Sequence, residues 1–194
     1  MSTIEDFKNN KYCYVKNAIP KDICDIAVKY TLFDEAKNFA PEGAGSQVPG
    51  SHSKHGDPFM ESILLYALPI IEENTGLKVF PTYSYYRVYR PGASLLPHKD
   101  RESCEISASL FFGRNYEGES WKRYIEGKGY EMEPGDMIIY RGMDLNHYRY
   151  EFEAPEGSFH SQVFIHYVDQ NGPCSEHKYD KRIGVGGIDN DIFN

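Results

Sequence analysis

The sequence predicts an α+β protein that is mainly β, with helices at its N-terminal end and an antiparallel sheet domain after them. Two segments carry apolar residues near helical period, over about residues 20–37 and again from Asp57 to Gly76. Short runs rich in β-branched and aromatic residues follow, separated by Gly, Pro and Asp turns, at 79–89, 106–112, 137–140 and 162–168. The change of period from helical to strand-like predicts this order of elements.

The element boundaries follow from residues that favour helix ends. Proline and aspartate open both helices, and Gly76 is suited to close the second one, which Pro69 is expected to bend. Residues 38–57 are rich in Gly and Pro without periodicity, which predicts a loop. We expect one domain over 1–194, with a helical part to about 76, a β core over about 78–168 and an extended or partly disordered tail from 169.

Composition narrows the range of partners and locations. The chain has 194 residues, 40% of them hydrophobic, and no apolar stretch of about 18 residues, so no membrane span is expected. A formal charge of −8 gives an average field that repels phosphate backbones and so disfavours nucleic acid as a partner. The N-terminal residues lack the pattern of a secretory signal, and we expect a cytoplasmic protein.

The four cysteines are scattered along the chain. Cys13, Cys24, Cys104 and Cys174 form no Cys-x-x-Cys pair, so neither a zinc knuckle nor a dithiol redox motif is indicated. We expect four reduced thiols with a structural role, in keeping with the cytoplasmic expectation.

Three residues predict a metal site. His98 and Asp100 are separated by one residue, a spacing that places both side chains on one side of a strand. His147 follows 47 positions after Asp100, beyond a turn and an apolar strand. Two imidazoles and one carboxylate can occupy one face of an octahedral metal and leave three positions open, which suits Fe(II) with a chelating cosubstrate and dioxygen. The sequence therefore predicts an oxygenase with His98, Asp100 and His147 as its catalytic metal ligands.

Three segments, in their order, resemble a known family. Tyr85–Asp100, Glu133–Tyr140 and Asn146–Arg149 are similar to the core of the Fe(II)/2-oxoglutarate-dependent dioxygenases, in particular the prolyl-hydroxylase-like branch. The resemblance covers about residues 78–168. It implies a double-stranded β-helix, or jelly roll, with the helices packed on one sheet. It also implies iron on His98, Asp100 and His147, with 2-oxoglutarate and O2 as cosubstrates.

The distal carboxylate of 2-oxoglutarate needs a cationic partner, and here the chain departs from the family. Members commonly place an arginine or lysine on the strand after the distal histidine, but no Arg or Lys occurs between Arg149 and Lys178. Arg149 shares a strand face with His147 and is our candidate, because its guanidinium can bind a carboxylate through two parallel hydrogen bonds. His160 and Gln162, which alternate along the next strand, are the alternatives.

The resemblance assigns Tyr89 a hydroxyl contact to the same carboxylate. Tyr85 and Arg87 share its strand face and are candidates for the substrate pocket. Ordinary barrel packing for Tyr85 and a surface or interface charge for Arg87 are equally good interpretations. Arg101 is a candidate for the pocket mouth, where it would meet an anionic substrate group, although a surface ion pair with Glu102 or Glu105 explains it as well.

Other polar residues receive a structural interpretation. We expect His166 to be a core or rim residue, His52 and His55 to be solvated unless the 38–57 loop closes over substrate, and His177 to have no role. Residues 121–123, Trp-Lys-Arg, are interspersed with glutamates and are interpreted as a solvated hairpin.

The resemblance implies hydroxylation of a C–H bond in a small molecule or in a peptidyl or prolyl side chain, with release of succinate and CO2. Two alternatives remain open. One is a nucleic-acid demethylase of the same superfamily. The other is a cupin-like metal-binding or ligand-binding barrel that does not activate oxygen, because jelly-roll folds support many unrelated functions.

Overall fold

Two antiparallel β-sheets form the centre of the computed structural model, which describes residues 3–38 and 48–189. The helices are α1 (Thr3–Asn10), α2 (Lys21–Asn38) and α3 (Pro58–Thr75). The strands are β1 (Tyr12–Val15), β2 (His52–His55), β3 (Val79–Tyr89), β4 (Leu95–His98), β5 (Ile106–Arg114), β6 (Arg123–Ile125), β7 (Lys128–Tyr130), β8 (Met137–Arg141), β9 (His147–Arg149) and β10 (His160–Asp169).

The larger sheet has the order β1-β8-β5-β10-β3-β2, and the smaller sheet has the order β4-β9-β6-β7. All pairings are antiparallel. In the larger sheet, Gln162 of β10 lies opposite Arg87 of β3 on one side and Phe111 of β5 on the other. Side chains at alternate positions of these strands therefore line the same face, and that face looks toward the smaller sheet.

The three helices pack on the opposite face of the larger sheet. One hydrophobic cluster joins Cys24 and Ala27 of α2 and Leu64 of α3 to Val163 and Ile165 of β10, all of them buried. Val163 and Ile165 alternate along β10 with residues whose side chains face the smaller sheet. This period of two, with both sets buried, is the pattern of a strand that is covered on both faces. Burial of apolar surface between the helices and this face stabilises the larger sheet. The opposite face of the sheet is then free to carry polar side chains.

The helix ends agree with the sequence. The carboxylate of Asp57 accepts hydrogen bonds from the amides of Phe59 and Met60, and Gly76 ends α3 with φ of 73°. The loop expected over 38–57 is only partly right, because β2 pairs with β3 at the sheet edge. Residues 39–47 of that loop lie outside the described residues.

The chain after β10 is held by a buried carboxylate of α3. Glu61 is 3% exposed and accepts hydrogen bonds from Arg182, at 3.0 Å, and from the amide of Gly186, at 2.8 Å. Two short 3-10 turns form here, at Ser175–Lys181 and Val185–Gly187. Through residue 189 the tail is thus packed against the fold, and residues 190–194 lie outside the described part.

The cysteines and the helix lengths complete the description of the fold. All four cysteines are free and buried, as the scattered spacing predicted. Within residues 3–38 and 48–189, no helix has the length and apolar character needed to cross a membrane.

Candidate functional site

The three expected metal ligands converge where β4 meets β9. His98, the last residue of β4, lies directly opposite His147, the first residue of β9, and their ring centroids are 4.2 Å apart. Asp100 Oδ1 lies 3.3 Å from His147 Nε2 and 3.8 Å from His98 Nε2. One ligand atom from each of the three residues falls within 4.8 Å of the others. A single ion can therefore reach all three.

Both histidines are oriented by the same backbone contact. Nδ1 of His98 lies 2.8 Å from the carbonyl of Leu96, and Nδ1 of His147 lies 3.0 Å from the carbonyl of Leu145. A carbonyl only accepts, so each Nδ1 carries the proton and each Nε2 offers its lone pair. Burial, and then the charge of His147, lower the pKa of His98 and favour the neutral form that binds a metal.

Asp100 is positioned by hydrogen bonds after the end of the strand, and not by the strand itself as its spacing from His98 suggested. β4 ends at His98, so Asp100 follows the strand, and its amide donates to the carbonyl of Gly142 at 2.9 Å. Its Oδ2 accepts from Ser107 Oγ at 2.8 Å, while Oδ1 faces the histidines. Burial raises the pKa of Asp100, but the hydrogen bond and charge of His147 outweigh burial, so the pKa lies well below its usual range.

Gly142 and Ser107 are parts of the site that the sequence analysis did not identify. A Cβ at position 142 would overlap Asp100 Oδ2 and lie 2.5 Å from the carbonyl of Cys104, so only glycine lets the carboxylate approach this closely. Ser107 also contacts His166 Nδ1 at 2.9 Å. His166 is 6% exposed and lines the site, as expected of a core or rim residue.

A cavity of about 460 Å³ opens beside the three residues, between the two sheets. We call it the central cavity. Its lining includes the three candidate ligands and, among other residues, Arg87, Arg123, Tyr85, Tyr140 and Phe164. Arg87 and Arg123 are only 2% and 1% exposed. Two buried guanidinium groups thus share one cavity with the three candidate ligands.

Arg123 was interpreted from the sequence as part of a solvated hairpin, and the structure contradicts this. β6 places its side chain inward, where Nη2 donates to the hydroxyl of Tyr140 at 2.9 Å. Tyr140 packs on His147, with ring centroids 4.8 Å apart, so Tyr140 contacts both Arg123 and this candidate metal ligand. Its Nε and Nη1 have no hydrogen-bond partner within the described part of the chain.

The four residues expected to bind 2-oxoglutarate form one buried cluster. Arg149 donates to the side chain of Gln162 and to the carbonyl of Trp121. Its guanidinium carbon lies 5.9 Å from the ring centroid of Tyr89, whose ring is 6.3 Å from that of His160. None of the four is among the residues that line the central cavity.

Unsatisfied polar atoms mark this cluster too. Among the described residues, the Tyr89 hydroxyl, Arg149 Nε, His160 Nε2 and Gln162 Nε2 have no hydrogen-bond partner. Burial, opposed by the neighbouring Tyr89, lowers the pKa of Arg149 to about 9, so its guanidinium stays protonated at neutral pH.

The mouth of the cavity carries Tyr85, Arg101 and His55. Tyr85 donates to Ser53 at 2.7 Å and accepts from Arg87 at 3.0 Å, so Arg87 is not a surface charge. Arg101 lines the mouth but is paired with Asp180, at 2.7 and 2.9 Å, and not with Glu102 or Glu105.

The two histidines of the predicted loop differ from each other. His52 was expected to be solvated, but it is 7% exposed and lies 2.8 Å from a carboxylate oxygen of Asp34. His55 is partly exposed, lines the central cavity and stacks on Tyr83, with ring centroids 4.4 Å apart.

Comparison with known proteins bears on the fold. No protein-family model and no curated protein matches the sequence. A prolyl-4-hydroxylase from Pseudomonas putida superimposes with a TM-score of 0.62 at 16% identity, over 84% of this chain and 96% of that chain. The carbocyclase SnoK from nogalamycin biosynthesis gives 0.67 at 12% identity, over 86% and 83%. HygX from Streptomyces hygroscopicus, with nickel and 2-oxoglutarate bound, gives 0.64 at 9% identity, over 87% of each chain.

The chain has the fold of 2-oxoglutarate-dependent oxygenases. This confirms that the chain shares its fold with the proteins that the sequence resemblance indicated. At identities this low the shared fold is what the comparison establishes, because one fold supports many functions. Any activity has to be argued from the site itself.

Proposed function

We propose that this protein is an Fe(II)- and 2-oxoglutarate-dependent oxygenase whose two sheets form the double-stranded β-helix of that superfamily. It hydroxylates a C–H bond of a small molecule or of a peptidyl or prolyl side chain and releases succinate and CO2. The observation that carries the proposal is the convergence of His98, Asp100 and His147 at a cavity that also holds buried cations. HygX, a protein of the same fold, has nickel and 2-oxoglutarate bound, which supports a metal ion and 2-oxoglutarate as the two groups that this protein binds.

The donor set fits ferrous iron. Two neutral imidazoles and one carboxylate on one face leave positions open for a chelating cosubstrate and O2, and a bound iron would supply the oxidative chemistry. The protein holds the ligands ready: the carbonyls of Leu96 and Leu145 keep each histidine in the required tautomer. Ser107 holds the carboxylate of Asp100. These contacts are the outer partners that orient metal ligands.

For the distal carboxylate of 2-oxoglutarate we propose Arg123 as the direct partner. Arg123 lines the cavity, and two of its nitrogens have no partner within the described part of the chain. Its guanidinium donates to the hydroxyl of Tyr140, whose ring packs on that of the candidate ligand His147. A carboxylate accepting hydrogen bonds there would satisfy a buried cation that is otherwise unpaired.

Arg149, which does not line the cavity, acts on the same carboxylate through its positive charge. The positive charge of Arg123 contributes to lowering the pKa of Arg149, so the two buried guanidiniums repel each other. Two like charges in a buried region are costly unless an anion offsets them, and 2-oxoglutarate carries the required negative charge. Gln162 and the carbonyl of Trp121 hold Arg149 in place, and Tyr89 and His160 complete the cluster that, in this proposal, supports the cosubstrate pocket.

Iron-dependent succinate release from 2-oxoglutarate tests the proposal. Asp100→Ala removes the charged ligand and should lower turnover by more than about 100-fold, because loss of a ligand exceeds the effect of losing an outer partner. Asp144→Ala is the matched control, since its exposed carboxylate pairs with Lys11 at 2.9 Å and does not line the cavity. Full turnover by the Asp100 variant would contradict the proposed metal site. Iron binding without succinate release by the unmodified protein would support the binding-barrel alternative.

A further inference from the structure

The central cavity is positively charged in an acidic protein. Its lining carries Lys99, Arg87, Arg101 and Arg123 but only one carboxylate, Asp100, whereas the whole chain has a formal charge of −8. A local field opposite in sign to the average indicates an anionic occupant. In the proposed complex, the formal charges of Fe(II), Asp100, dianionic 2-oxoglutarate, Arg123 and Arg149 add to +1, so no negative charge is left over for a further arginine. Arg87 is then a buried cation for which the cosubstrate provides no counterpart.

Arg87 differs from Arg101 and Arg90, each of which has a carboxylate partner. Arg101 is paired with Asp180, and Arg90 is paired with Glu35. No carboxylate of the described residues lies within 4.0 Å of the Arg87 guanidinium, which is 2% exposed and donates to the Tyr85 hydroxyl at 3.0 Å. Its Nε has no partner in the described part of the chain. Burying an unpaired charge is costly, so a site that retains one is built to receive an anion.

The side chain of Arg87 is also held in position. Its guanidinium carbon lies 5.2 Å from the ring centroid of Tyr85 and 5.4 Å from that of Tyr89. The Tyr85 hydroxyl accepts from Arg87 and donates to Ser53 on the edge strand β2. An arginine fixed between two rings loses little freedom when it binds a ligand, which favours affinity.

We propose that Arg87 binds the carboxylate of the substrate, and that the substrate is a small free acid; this inference rests on the proposed function. An internal residue of a peptide presents no main-chain carboxylate to such a partner. The cavity volume of about 460 Å³ lies within the range of roughly 300–1,000 Å³ that is typical of small-molecule pockets. That space accommodates 2-oxoglutarate and one compact molecule. The anion would accept from Arg87 Nε while its C–H bond faces the metal site.

Binding of simple carboxylates to the loaded protein tests this assignment. The protein is loaded anaerobically with Fe(II) and saturating 2-oxoglutarate, then titrated calorimetrically with propionate and benzoate, and with propionamide and benzamide, at matched ionic strength. We expect saturable binding of at least one acid and not of its amide. Arg87→Gln should weaken that binding about tenfold or more, because a charge-assisted hydrogen bond is lost.

Arg114→Gln is the control, because it removes the same charge from an arginine that lies outside the cavity lining and donates to the carbonyls of Gly118 and Glu119. It should change the affinity for the acid by no more than about twofold. Equal binding of acid and amide, no saturable binding, or an unaffected Arg87→Gln variant would overturn the assignment.

The visible charge-transfer band of the Fe(II)–2-oxoglutarate chelate is recorded in the same samples. If the band is present and stays intact while no acid binds, the anion site is wrong and the proposed function stands. If the band is displaced by the acid, the acid occupies the cosubstrate site and the assignment of Arg87 is overturned. If the unmodified protein shows no band at all, the proposed function fails and the assignment fails with it. The band in Arg87→Gln also shows that this variant is folded.

Discussion

The two ends of the central cavity differ in how their polar groups are satisfied. At the metal end, protein atoms orient every candidate ligand: a backbone carbonyl holds each of His98 and His147, and Ser107 holds Asp100. At the cation end, Arg87 and Arg123 line the cavity and Arg149 lies outside its lining, and each of the three keeps a buried nitrogen without a partner in the described part of the chain. The candidate ligands of the first end thus have their orienting partners within the protein, whereas the second end carries positive charge that is complementary to anions.

This difference shows which half of the site the protein preorganises. Hydrogen bonds that fix ligands before a metal arrives lower the cost of binding it. Unpaired buried guanidiniums instead store an unfavourable charge that a carboxylate relieves on arrival. We therefore expect substitutions at the cation end to change ligand affinity and leave the metal site intact, and substitutions at the metal end to do the reverse.

The largest effect at the cation end is expected for Arg123→Gln. Loss of the direct partner should weaken 2-oxoglutarate binding by about 10- to 100-fold while metal binding is retained. Anaerobic titration of the charge-transfer band measures this affinity. Arg114→Gln is the control, because Arg114 lies outside the cavity and donates to the carbonyls of Gly118 and Glu119. An unchanged affinity in the Arg123 variant would remove this residue from the cosubstrate site.

An effect of about tenfold is expected at the metal end for Ser107→Ala. The variant loses the hydrogen bond to Asp100 Oδ2, and outer partners of this kind typically contribute 10- to 100-fold to metal affinity. Calorimetric titration with Mn(II) measures the change. Ser109→Ala is the matched control, because Ser109 is buried on the same strand and has no hydrogen bond to a candidate ligand among the described residues. Equal Mn(II) affinities in the two variants would show that Ser107 does not position the carboxylate.

The smallest effect is expected for Arg149→Gln. Arg149 does not line the cavity, so its charge acts on 2-oxoglutarate through space, and its loss should weaken binding by only about threefold. The same band titration measures it. A loss as large as that of Arg123→Gln would make Arg149 the direct partner, as the sequence alone had suggested, and would reverse the order of the two arginines.

The convergence of His98, Asp100 and His147 and most main elements could be predicted because their signals are local. His98 and Asp100 are separated by one residue, and His147 follows an apolar strand at the distance needed to return across a small barrel. Asp57 and Gly76 likewise mark the ends of α3 through contacts within a few residues. Such features depend on short stretches of chain, and periodicity and turn residues describe short stretches well.

The rest depends on contacts between distant parts of the chain. Arg123 lies among glutamates and lysines in a three-residue strand, and only the pairing of β6 with β9 shows that it points inward. The edge strand β2 has the sequence His-Ser-Lys-His, which carries no apolar alternation. Gly142 is required because the carboxylate of Asp100 packs against it, and no residue next to Gly142 indicates this.

Location of the bound ion tests the central claim most directly. Crystals grown anaerobically with Mn(II) in place of Fe(II) should show one anomalous peak, about 2 Å from His98 Nε2, Asp100 Oδ1 and His147 Nε2. A second set of side chains, Asp100, Cys104 and His166, also places its ligand atoms within 4.8 Å of one another. A peak on that second set, or no peak between the two histidines, would contradict the account.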